Sequence, residues 1–324
     1  MDLRLKTGQF RPAGEVLARI AVKRLSCFAC GSYMIELTPE TKKYFRTLLV
    51  LGRVSNLPTV WSNCVAGWLI SGGGSIAALV LLCGGATALY IGGMYLNDAF
   101  DVEFDRLNRK ERPIPSGGIS VGDVWGYGLS WLGLGLVLVY FFNTTTFALA
   151  IALVFSIVLY DAVHKAIAFS PVIMAACRFF LFLMAASVGR NGVTGLAVWT
   201  ALALACYIVG LSYVARSESN RGPIRYWPCV LLIPPLILAF LVNDEEFRKQ
   251  SLLLSVILVF WILRCLSHIL FTADKNIGRS VSGLLAGIVL VDLLACNGCA
   301  AGWALLFAAL FGSALLFQRY IPAT

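Results

Sequence analysis

Asn97, Asp98, Asp101 and Asp105 are the side chains of this 324-residue chain best suited to chemistry. On a helix turning ~100° per residue they fall within a sector of roughly 100°. Three carboxylates on one face repel one another, and their ionised forms are costly together unless a cation sits among them. Clustered oxygen ligands of this kind suit Mg²⁺, which keeps part of its shell for water and substrate phosphates. Asn97, Asp98, Asp101 and Asp105 are therefore candidate metal-site residues, and Asp98 and Asp101 the candidate catalytic pair.

Basic residues follow at once, in the run Arg109-Lys110-Glu111-Arg112-Pro113-Ile114-Pro115-Ser116-Gly117-Gly118-Ile119-Ser120. A guanidinium fork beside a divalent cation suits a diphosphate, neutralised from two sides. Arg112 is the best-placed candidate. Pro113 and Pro115 stiffen the loop, and Gly117-Gly118 turns it into the next helix.

Hydrophobic residues make up 59% of the chain and charged residues 13%. Ten apolar stretches, near 48–70, 76–96, 121–141, 145–163, 169–188, 195–215, 226–242, 250–271, 279–296 and 300–318, approach the ~20 residues that cross a bilayer. The expected fold is an all-α, polytopic membrane helical bundle. Residues 1–45 form a basic segment ahead of a membrane domain over 46–320, and 16–30 reads as an interfacial amphipathic helix. Glycines such as Gly85, Gly92, Gly133 and Gly135 permit close helix packing.

The chain's net charge is +9. Of its 26 Lys and Arg, 20 lie in the tails and the connectors on the N-terminal side, three in the opposite connectors and three within spans. That asymmetry places the N-terminus and the motif loops on the cytoplasmic side or its organellar equivalent. It accounts for the basic charge without nucleic acid. Cys64, Cys83, Cys177, Cys206, Cys229 and Cys265 sit in apolar runs and act as small hydrophobes. Cys27-x-x-Cys30 and Cys296-x-x-Cys299 fall on opposite faces in this topology, so no zinc site is expected.

The Asn-Asp-x-x-Asp-x-x-x-Asp run at 97–105, with Arg-Pro-Ile-Pro-Ser-Gly-x-Ile-Ser from Arg112, resembles the first signature of the UbiA-type membrane prenyltransferases. The resemblance spans roughly 48–320. It implies about nine transmembrane helices around a central cavity, one fewer than the apolar stretches, with the last two the place to look for the difference. It also implies an isoprenyl diphosphate held by Mg²⁺ on acidic motifs, and transfer of its prenyl group to an aromatic or lipid acceptor in the membrane. Asn97, Asp98, Asp101 and Asp105 then become Mg²⁺ and diphosphate residues. Tyr160 and Lys165 resemble the family's Tyr and basic residue near the diphosphate, which makes Lys165 a candidate catalytic residue and diphosphate contact beside Asp98 and Asp101, and Arg53 and Pro58 resemble its Arg…Pro start. Tyr90, Tyr95, Tyr160, Phe179, Phe180, Tyr207 and Tyr213 are candidates, by location, for lining the pocket of an allylic cation.

One departure stands out. Where the family carries a second acidic motif, this chain reads Tyr213-Val214-Ala215-Arg216-Ser217-Glu218-Ser219-Asn220-Arg221. Glu218 is its one carboxylate, and Arg216 can replace some cationic charge but cannot ligate a metal. This run, with Ala176-Cys177-Arg178, resembles the EboC-like branch. A protein that binds or transports an amphipathic lipid or metabolite without prenyl transfer is the alternative reading. Arg178, in mid-span, is expected to face the cavity as a diphosphate contact or to pair with Asp161 or Glu218. Arg264 and His268 are expected to pair with Asp292.

Overall fold

The computed structural model describes residues 38–219, 227–242, 245–270 and 276–322, and among them it contains helices and no strands. Helix α1 (Pro39–Leu51) precedes α2 (Leu57–Ile70), α3 (Ile76–Phe100), the short α4 (Val102–Asn108), α5 (Val121–Tyr140) and α6 (Thr144–Val163). There follow α7 (Ser170–Ala186), α8 (Gly195–Ser219), α9 (Pro234–Val242), α10 (Glu245–Leu270), α11 (Ile277–Ala295) and α12 (Ala301–Phe317). The helices α3, α5, α6, α8, α10 and α11 are long and apolar enough to cross a membrane. Large side chains such as Phe155, Leu252, Phe260 and Leu305 are exposed on the outside, as lipid-facing positions require. The protein is an all-helical integral membrane protein. The stretches 279–296 and 300–318 are two separate helices, α11 and α12.

Capping fixes where several helices begin. Ser75, Ser120 and Asn143 each accept the third backbone N–H of the helix they precede, satisfying a donor left over by the helix geometry. Glycine then sets the spacing of α3 and α5. A β-carbon on Gly92 would lie 2.9 Å from the carbonyl of Gly128, and one on Gly135 would lie 3.0 Å from that of Gly85. Gly133, expected to serve the same packing, has open space around it.

The ends of the helices fall into two groups. At one end Lys165 reaches Asp101, Arg216 bonds the carbonyls of Ile167 and Ala168, and Ser55 donates to the carbonyl of Pro322. The α3–α5 and α6–α7 connectors, the end of α8 and the residues after α12 thus meet together. At the opposite end Arg190 and Asn191 donate their backbone N–H groups to Gly73 and Ser71. Helix α1 begins at Pro39, ahead of the expected boundary at 46, and packs Leu48 and Leu51 against Tyr95 and Ile114. The proposed helix at 16–30 and the pair Cys27 and Cys30 lie outside the described residues.

Candidate active site

The break between α1 and α2 begins the site. Arg53 adopts the left-handed conformation, φ 41° and ψ 47°, the one non-glycine among the described residues with positive φ. That backbone costs an L-residue roughly 1–2 kcal/mol. It ends α1 and lets the guanidinium turn toward the end of α3. There Nη2 donates to Asn97 Oδ1 and Asp98 Oδ1, each at 3.1 Å.

The second arginine comes from the loop. Residues 109–120 are tied by turns, with the Ser116 N–H bonded to the Arg112 carbonyl and the Gly118 N–H to that of Pro113. Gly117 supplies a positive φ of 75°. This returns Arg112 over the acids, where Nη1 donates to Asp98 Oδ1 at 3.2 Å and Asp105 Oδ2 at 2.9 Å. The third cation comes from the end of α6. Lys165 Nζ lies 2.7 Å from Asp101 Oδ1 and 3.9 Å from the centre of the Phe104 ring, with His164 Nε2 at 3.3 Å from the same carboxylate oxygen.

Asp98, Asp101 and Asp105 are all buried. Burial raises the Asp101 carboxyl, but hydrogen bonds from His164 and Lys165 outweigh it, and the net position lies below the ordinary carboxylate range. For Asp105 burial wins over the pull of Arg112 and leaves it above that range. Arg53, Arg112 and Lys165 stand among the acids and offset the repulsion the sequence poses.

Among the described residues no three His, Cys, Asp or Glu side chains converge into a metal cluster, because arginine and lysine stand between the acids. The donor set is nonetheless of hard oxygens. The polar contacts of Asp98 and Asp101 fall on Oδ1, and Asp105 Oδ1 is buried with no hydrogen-bond partner. Oxygens turned away from the cations fit Mg²⁺ chemistry.

Of the residues anticipated here, Asn97, Asp98, Asp101, Asp105, Arg112, Lys165 and Arg53 come together. Three do not. Arg216 lies on the α6–α7 connector and also bonds Ser170 Oγ at 3.1 Å. The Glu218 side chain lies outside the described residues. Arg178 instead bonds the carbonyl and hydroxyl of Thr59 and, at 2.8 Å, Asn63 Oδ1. Asn63 and Ser62 in turn donate to Asp292. The expected pairings of Arg178 with Asp161, and of Arg264 and His268 with Asp292, are therefore replaced. Asp161 accepts from Asn97, Asp292 is buried on the α2 side, and Arg264 is exposed over the Trp261 ring.

Sequence reasoning missed Asp161 and His164 as members of the cluster. Their signal was spacing, since 161, 164 and 165 share one helical face. Among the aromatic candidates Tyr90 and Tyr160 stay beside the site. Tyr90 donates to the Arg53 carbonyl and Tyr160 stacks on His164 at 4.9 Å. Tyr207 is fully buried against the Leu284 carbonyl, Tyr95 packs on Tyr127 and Tyr213 on Trp227. A small apolar void of about 30 Å³ lies at the far end of α8, beside Leu196 and Thr200.

A family model described as the UbiA prenyltransferase family matches residues 57–272. The chain belongs to that family. Similar curated sequences include a digeranylgeranylglyceryl phosphate synthase from Thermococcus kodakarensis, 31% identical over 161 residues that cover 46% of this chain and 56% of the relative. Another, from Sulfurisphaera tokodaii, is 24% identical over 65% of this chain and 63% of its own length. The chain thus covers less than two thirds of these curated relatives. Among solved structures, a UbiA homolog from Archaeoglobus fulgidus bound to GPP and Mg²⁺ has a TM-score of 0.60 at 17% identity, covering 84% of this chain and 99% of that one. A structure of digeranylgeranylglyceryl phosphate synthase has a TM-score of 0.56 at 22% identity, with the same coverages. At these identities the likeness is one of fold.

Proposed function

We propose that this protein transfers a prenyl group from an isoprenyl diphosphate to a membrane-soluble acceptor, with Mg²⁺ as cofactor. The observation that carries the reading is the cluster itself. Three buried aspartates across the α3–α4 junction are met by Arg53, Arg112 and Lys165 from three other segments. Family membership supports it, and so do the names of the relatives and the ligands of the A. fulgidus homolog.

When bound, Mg²⁺ would neutralise charge developing on the leaving diphosphate. Asp98, Asp101 and Asp105, with Asn97, would hold it. Arg53, Arg112 and Lys165 already stand on the acids, and with a divalent cation bound their N–H groups would be free to donate to phosphate oxygens. Such fixed donors stabilise the leaving group as the C–O bond breaks. Tyr90 and Tyr160 offer aromatic faces on the bundle side. The relatives' name makes a glyceryl phosphate lipid the first acceptor to test. The motif loops are assigned to the cytoplasmic face by their basic residues. The likeness to the EboC-like branch rests on residues 176–178 and 215–219 alone.

The test is a panel of isoprenyl diphosphates with lipid extract as acceptor, using purified protein in nanodiscs. Mg²⁺-dependent diphosphate release, abolished in Asp98→Ala/Asp101→Ala, is the expected result. Tight Mg²⁺-dependent binding with no turnover across the panel would overturn transfer in favour of a binding or transport protein. No Mg²⁺-dependent interaction would remove the site as well.

A further inference from the structure

The end of α8 carries Arg216, not an aspartate pair, and Arg216 is spent on the α6–α7 connector. An acidic group nonetheless reaches the cluster from a second helix. Asp161, in the last turn of α6, is buried to 4% exposure. Its Oδ1 accepts the Asn97 amide at 3.0 Å, while its Oδ2 is buried with no hydrogen-bond partner. The same Asn97 receives Arg53 on its carbonyl oxygen, so its two partners fix the orientation of the amide. Arg53, Asp101 and His164 all lie within electrostatic reach of Asp161.

We infer that Asp161 is a further carboxylate of the cation and diphosphate site, supplied from α6 in addition to Asp98, Asp101 and Asp105. The inference rests on the proposed function. Its physical basis is a mismatch of charge. Asp98, Asp101 and Asp105 are matched by Arg53, Arg112 and Lys165. Asp161 is a fourth carboxylate, whose one polar contact is with a neutral amide. An ionised carboxylate with an unpartnered oxygen is costly in a buried site. A mobile divalent cation beside Asn97 would remove that cost, and hard oxygen ligands are what such a cation takes. Asp161 lies in the last turn of α6 and Lys165 two residues beyond its end, so one helix end supplies both an acid and a base to the site.

Asp161→Asn is nearly isosteric, and its carbonyl can still accept from Asn97. It removes the charge and keeps the hydrogen bond, which separates the inference from a merely structural role. The probe is Mn²⁺ as a paramagnetic stand-in for Mg²⁺, titrated by electron paramagnetic resonance with and without inorganic diphosphate, on the full chain in nanodiscs. The expected result is a loss of about tenfold or more in cation affinity in the presence of diphosphate, the scale of outer partners of a metal site. A second variant, Asn97→Asp with Asp161→Asn, moves the charge across the same hydrogen bond and is expected to recover most of the affinity. Unchanged affinity in D161N, with the wild type binding normally, overturns this inference and leaves the proposed function standing. Should D161N not fold, failure of the charge-swapped variant to bind the cation, with normal thermal stability, overturns it instead. A wild type with no diphosphate-dependent cation binding overturns both.

Discussion

Arg112 is the residue whose removal gives effects of opposite sign, and this makes Arg112→Ala the sharpest test of the site. Its side chain is 16% exposed, and its guanidinium bridges Asp98 and Asp105, whose side chains are 8% and 2% exposed. Asp98 keeps Arg53 as a partner when Arg112 is gone, so the loss falls mainly on Asp105. A hydrogen bond to a charged group is worth roughly 1.5–3 kcal/mol, and tenfold in affinity is about 1.4 kcal/mol. With its fixed competitor removed, Mg²⁺ alone is expected to bind about 10- to 100-fold more tightly. With Mg²⁺ saturating, geranyl diphosphate is expected to bind more weakly by a similar factor, because a phosphate donor is lost. Asp105 already lies above the ordinary carboxylate range through burial, and Arg112 holds it down. Without Arg112 it takes a proton more readily, which would mask the gain at low pH, so the measurement belongs near pH 8. Isothermal titration in nanodiscs reads both affinities. If R112A weakens Mg²⁺ binding in the absence of diphosphate, the guanidinium is not a stand-in for the cation and the reasoning fails.

Two further substitutions test placement. Arg178→Leu is expected to lower the thermal midpoint while leaving the diphosphate Kd within about threefold, because this guanidinium serves Thr59 and Asn63; breaking a buried charge network costs about 3–5 kcal/mol. A large loss of diphosphate affinity at normal stability would return Arg178 to the active site. Gly92→Ala is expected to cost about 1–3 kcal/mol by pushing its new methyl against the Gly128 carbonyl and Leu132, whereas Gly133→Ala meets open space and is expected to be neutral. Equal thermal shifts in detergent would refute the α3–α5 contact described here.

The acids at the α3–α4 junction were legible because helical spacing runs across it, with the Asp101 N–H bonded to Asn97 and the Asp105 N–H to Asp101, so that Asn97, Asp98, Asp101 and Asp105 share one face. Apolar length made the bundle legible in the same way. What failed was the assignment of partners across helices. Arg178, Asp161 and Asp292 lie in α7, α6 and α11, and spacing within one helix says nothing of which neighbour its polar side chain meets. The pairing depends on rotation and depth: Arg178 finds Thr59 and Asn63 on α2, and Asp292 finds Ser62 and Asn63. A sequence shows that each charge needs a partner in a bilayer, but any polar group at matching depth satisfies that need. Gly133 failed for a related reason, since a glycine on the lipid side reads the same as one at an interface.

Arg53 joins these two levels. Its left-handed backbone is the feature least favoured locally, and it sits where α1 ends, Asn97 is oriented and Asp98 is paired. The Arg53 carbonyl accepts from Tyr90, whose ring lies 6.0 Å from the Arg178 guanidinium carbon. A cation that drew Asp98 away from Arg53 would therefore act on a residue already strained, bonded on one side to the acids and on the other to the aromatic wall of the bundle. Strain kept at such a junction is consistent with a functional demand on Arg53, because the fold alone would be served equally well by glycine.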